Sequence, residues 1–99
     1  MVKRADWASL RQRRMSEPGA RESYAATALA YELGRTVREL RERRGWSQSE
    51  LARRTGMTQS AVARFEAGGT MPTLPVLNRL AAALDADLVV TVKPRADVA

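Results

Sequence analysis

Ninety-nine residues, 44% of them hydrophobic, are enough for one small domain around one core and too few for a roomy cleft between domains. The net charge of +6 comes from 17 basic residues, of which only Lys3 and Lys93 are lysine; guanidinium forks bind phosphate bidentately and stay charged, so the excess suits a polyanionic partner better than it suits a merely solvated face. Without cysteine or histidine the chain lacks disulfides, thiolate zinc sites, the usual catalytic base and the usual pH switch, so no enzyme chemistry, metal or cofactor is expected.

The start, Met1 to Trp7, is basic but is not followed by the apolar run of a secretory signal. The longest apolar stretches, Ala25 to Ala30 and Leu80 to Leu84, fall far short of the roughly 20 residues of a membrane span. A cytoplasmic protein with no membrane partner follows as the expectation. From Met1 to Glu17 the chain is polar and arginine-rich, with Trp7, Leu10 and Met15 permitting a short amphipathic helix. Pro18 then suits the first turn of a long helix, or two in series, that runs to Arg44. Its apolar positions include Tyr24, Ala28, Tyr31, Leu33, Val37 and Leu40, with Gly34 as a possible bend and Gly45 as the stop.

Ser47 and Glu50 spell a capping box, in which the serine oxygen accepts a backbone N–H and the glutamate reaches back to the cap residue's own N–H. The spacing predicts a helix from Gln48 to about Thr55, a left-handed stop at Gly56, and Thr58 as N-cap of a helix from Gln59 to Ala67 closed by Gly68 and Gly69. Beyond Pro72, Thr73 caps a further helix with Pro75 in its first turn and Leu74, Leu77, Leu80, Ala81 and Leu84 on one face. Asp87 to Val92 is β-branched, ends before Pro94, and reads as a single strand. One strand cannot stand alone, so it needs a partner in the monomer, across a dimer or on another protein, and the rest of the chain offers no convincing second strand.

The middle pair of helices carries the motif. Two helices joined by a tight turn cross steeply, which demands a small residue where they face each other, a glycine at the reversal and inward apolar residues on the second helix. Ala52, Gly56, and Val62 with Phe65 meet those demands, and Leu51 and Leu40 are further core candidates. With Val62 and Phe65 inward, helical spacing leaves Gln59, Ser60, Ala63 and Arg64 outward. Glutamine pairs with adenine, arginine with guanine and serine with several bases, while alanine fits against a thymine methyl. Gln48 and Thr58 sit at helix N-termini, where free N–H groups and the dipole favour phosphate. Arg43, Arg44, Arg53 and the loop Gly68-Gly69-Thr70 are candidates for further backbone contacts.

The run from Arg38 to Gly68 resembles the lambda-repressor-like (XRE) helix-turn-helix family, and the resemblance spans about Leu33 to Leu84. It implies phosphate contact by Gln48, base reading by Gln59, Ser60 and Arg64, and an ion pair between Glu66 and Arg41. Trp46 departs from the smaller aliphatic residue usual there. The Tyr31-Glu-Leu-Gly approach and the closing stretch from Leu84 to Val92 resemble small HigA-type antitoxins. That second likeness implies a homodimer that represses its own operon and neutralises a RelE/HigB-like ribonuclease toxin.

The expected fold is therefore all-α, a lambda-repressor-like helix-turn-helix bundle (31–86) with an N-terminal helical extension (1–30) and a short C-terminal β-strand and tail (87–99). The expected partners are a double-stranded DNA operator, a second copy and a toxin protein, with residues 1–30 assigned to toxin capture or to dimerisation. A stand-alone regulator without a toxin, and an interaction module that no longer reads DNA, are the competing classes.

Overall fold

In the computed structural model the described residues are 20–96, with side chains described from Ser23 onward. They form four helices: α1, Ala20–Arg43; α2, Gln48–Thr55; α3, Gln59–Glu66; and α4, Leu74–Ala83. The N-terminal reading of Trp7, Leu10, Met15 and Pro18 lies outside the described residues.

α1 is one continuous helix through Gly34. The glycine is a contact point and makes no bend: a Cβ built there would lie 2.2 Å from the Phe65 carbonyl oxygen at the end of α3. Hydrogen takes the place of a methyl, and α3 can close on α1. The helix stops at Arg43 because Gly45 adopts φ 71° and Trp46 N–H donates back to the Arg41 carbonyl at 3.2 Å.

The core is built from Val37 of α1, Leu51 and Ala52 of α2, Val62 and Phe65 of α3, and Leu77, Leu80 and Leu84 at and beyond α4. Phe65, Leu51, Leu80 and Val62 are its fully buried side chains. Leu33, Leu40, Trp46 and Leu88 pack against it from the rim. The expected apolar face of α1 holds only in its second half. Tyr24, Ala28 and Tyr31 are exposed, and Ala30 is the buried residue there, because no other described helix packs beside the first turns. Leu74, expected on the inner face of α4, is likewise exposed, since it occupies the first position of the helix, beyond the reach of the core.

Past Leu84 the chain turns through Asp85, at φ 53°, and Ala86 N–H donates to the Ala81 carbonyl at 2.8 Å. Ala86 and Leu88 pack on the core, and residues 86–96 continue with neither helix nor strand. The strand expected over Asp87 to Val92 is therefore not formed within this chain, because no described segment offers its backbone as a partner. No helix among the described residues is long and apolar enough to cross a membrane.

Candidate nucleic-acid interface

α3 is positioned from its caps inward. Ser47, in extended conformation, accepts the Glu50 N–H at 3.0 Å and starts α2. Gly56 ends it at φ 70°, and both the Gly56 and Met57 N–H groups return to the Ala52 carbonyl, the latter at 3.0 Å. Two residues on, Thr58 accepts the Ala61 N–H at 3.0 Å and starts α3. A serine or threonine at such a position contributes about 1 kcal/mol by satisfying an otherwise unpaired donor. The turn is left with almost no freedom of direction. Arg79 of α4 further secures it by donating to the Thr55 carbonyl at 3.3 Å, a contact the spacing gave no sign of.

Ala52, Val62 and Phe65 face inward as their spacing predicts. On the opposite side of α3, Gln59, Ser60 and Arg64 are exposed and Ala63 is half-buried. The outward row that the helical periodicity assigned is thus assembled on one surface. The phosphate candidates fare less evenly. Arg43, Gly69 and Thr70 are exposed, with the Gly69 N–H returned to the Arg64 carbonyl at 2.9 Å. Arg44 donates to the Leu84 carbonyl at 3.0 Å and lies 5.2 Å from the Trp46 ring, so it ties the end of α4 to the start of the motif. Arg53 holds Glu50 through Nε and Nη2 at 3.0 and 2.7 Å while remaining on the surface.

Glu50 departs from the expected capping box. Its carboxylate accepts from Arg53 and, at 2.8 Å, from Arg54, and these hydrogen bonds hold it at about 2, well below the ordinary 4.5. The reason is competition: two guanidinium groups one turn away outbid a single backbone N–H for the same oxygens. The Glu50 carboxylate is thereby matched by two cations on the surface of α2. Arg54 also covers Trp46, its guanidinium carbon 4.1 Å from the ring centroid, which accounts for a large aromatic where a smaller aliphatic is usual.

Behind α3 is a buried ionic hub. Arg41 donates to both oxygens of Glu66, at 2.7 and 3.0 Å, and to the Trp46 carbonyl at 2.7 Å. Gln48 adds a fourth hydrogen bond, Nε2 to Glu66 Oε1 at 3.0 Å, so this side chain serves the interior whatever it also does outside. The hydrogen bond to Glu66 raises the Arg41 pKa above its ordinary value against the opposing effect of burial. The pair forms as the resemblance implies. Desolvation offsets much of its attraction, so its chief effect is on orientation: the carboxylate at the end of α3 is fixed simultaneously to α1 and α2.

Comparison with known proteins agrees with this geometry. A family model described as a helix-turn-helix domain matches residues 32–91. Among solved structures, the restriction-modification controller protein C.AhdI from Aeromonas hydrophila is similar, with 36% identity over 62% of this chain and 88% of that chain, at a TM-score of 0.59. No curated protein matches. The capped pair of helices, the buried Ala52, Val62 and Phe65, and these two likenesses agree: the chain belongs to the helix-turn-helix domain family and is a DNA-binding regulator of the XRE type.

Proposed function

We propose that this regulator binds an operator as a two-fold homodimer, with α3 in the major groove and Gln59, Ser60 and Arg64 reading bases. The observation that carries the reading is the exposure of those three side chains on one face of a helix whose other face is immobilised in the core. One such helix spans only a few base pairs, and two copies match half-sites about one DNA turn apart. Gln48, Thr58, Arg43, Arg53, Gly69 and Thr70 would set the docking register on phosphates, with Arg44 in a supporting position.

Fluorescence anisotropy on DNA from upstream of the chain's own gene tests this. Replacing Gln59 or Arg64 by alanine should each cost about 1–3 kcal/mol on the operator and little on random DNA. Log affinity should fall with log salt at a slope of about −0.9 per phosphate neutralised. Unchanged operator affinity in both variants would favour an interaction module that has kept the fold without reading DNA.

A second reading, an antitoxin that represses its own operon and neutralises a RelE/HigB-like toxin, draws support from α1. Its first turns precede the family match and expose Tyr24, Leu29 and Tyr31, a surface suited to a protein partner. The likeness to a restriction-modification controller favours a regulator without a toxin. Co-expression with the neighbouring gene separates the two: co-purification with rescue of growth supports the antitoxin, and a freely soluble, non-toxic neighbour removes it.

A further inference from the structure

The segment after α4 has the composition of a strand, and only its first residues touch the core. Leu88 is half-buried against the core, whereas Val89, Val90 and Val92 are 78%, 64% and 94% exposed. With a period of two, Val90 and Val92 share the face of Leu88, so an apolar ridge leaves the core and continues into solvent. The other face, Asp87, Val89, Thr91 and Lys93, carries opposite charges at its two ends. Pro94 lacks an N–H and closes the stretch at one end, while the turn at Asp85 and Ala86 closes it at the other.

We propose that Asp87 to Lys93 pairs with the same segment of a second copy as an antiparallel ribbon centred on Val90. The inference rests on the homodimer of the preceding section and names its interface. Symmetry restricts the register. A two-fold axis perpendicular to the ribbon places each residue opposite one on the same face, so a residue must meet its own counterpart at the centre. Centring on Val90 sets Asp87 opposite the second copy's Lys93, Leu88 opposite Val92 and Val89 opposite Thr91. Both charges are then matched, twice over by symmetry. Centring on Val89 would set Lys93 against the turn residue Asp85, outside any strand conformation at φ 53°. Centring on Thr91 would put Pro94 opposite Leu88, inside the ladder. Only the Val90 register uses the whole stretch between turn and proline. A bare two-stranded ribbon is marginal, but this one is anchored by Leu88 to each protomer's core and carries Val90 and Val92 back toward apolar cover.

The chain has no cysteine, which makes single-cysteine cross-linking unambiguous. Val90→Cys in the full chain places two sulfurs on the axis, with Cα atoms about 4.5–5.5 Å apart, inside disulfide range. Val92→Cys sets its Cα atoms about 14 Å apart, out of range. Mild oxidation should link the first variant and leave the second unlinked. Asp87→Lys should weaken the dimer about tenfold by sedimentation, and Asp87→Lys with Lys93→Asp should restore it. A dimer that Val90→Cys fails to link and Asp87→Lys fails to weaken overturns the ribbon while leaving the homodimer standing. A wild-type chain that stays monomeric with and without operator DNA overturns both.

Discussion

The α2–α3 pair and the first turns of α1 are both helical, and they treat their surfaces in opposite ways. In the pair, each helix is capped by its own side chain, and Leu51, Ala52, Val62 and Phe65 are buried. In the first turns of α1, everything from Ser23 to Leu29 is exposed, the aromatic Tyr24 included, and Ala30 is where burial begins. An apolar residue at helical spacing reports that a face has a partner. It does not report whether that partner lies in the same chain. The pair finds its partner in α1 and α4, whereas the first turns of α1 present theirs to solvent.

If that contrast is sound, substitutions on the two surfaces should differ greatly in thermal or denaturant unfolding. Phe65→Ala removes the largest fully buried side chain and should cost about 3–5 kcal/mol, enough to unfold much of a domain this small. Gly34→Ala tests the border between the regions. Its Cβ meets backbone, which cannot swing aside, so the methyl should cost about 1–3 kcal/mol despite the better helix propensity of alanine. A neutral or stabilising result would show that α3 does not lie against α1 as described.

Glu50→Gln probes a subtler term on the surface of α2. The Glu50 pKa is depressed from 4.5 to about 2, so its contribution is complete above pH 4.5 and fades as pH falls toward 2. The variant should therefore lose stability relative to the parent at neutral pH, and the gap should close over that acidic window. A pH-independent gap would mean the arginine contacts are not formed. Leu29→Ser has the smallest expected effect, within about 0.5 kcal/mol, because the side chain already meets water. A loss of several kcal/mol there would mean that part of this chain covers the first half of α1.

The same contrast explains what was legible in the residues. Local signals served well wherever the deciding contact was local: the ends of α2 and α3 follow from Ser47, Gly56, Thr58 and Gly68, and α3 stops at Glu66, one residue before the expected Ala67. They failed where the deciding neighbour was distant in sequence. Gly34 reads as a bend until α3 is seen against it. The spacing gives no sign that Arg44 reaches the Leu84 carbonyl or that Arg79 reaches Thr55. Tyr24, Tyr31 and Leu74 have the right spacing for burial, but nothing in a spacing says where a partner ends. Glu50 followed a local pattern and lost it to two arginines that fit the same oxygens.

Glu66 carries a last consequence. It closes α3, is itself turned away from the surface, and is bound by Arg41 from α1 and by Gln48 from α2. A conservative variant at this position, such as Glu66→Gln, would retain every side chain proposed to read bases and yet present them at a wrong tilt. Its signature in binding assays would be a blurred preference among operators, with general attraction to DNA largely kept, and a screen that scores only affinity would pass over it.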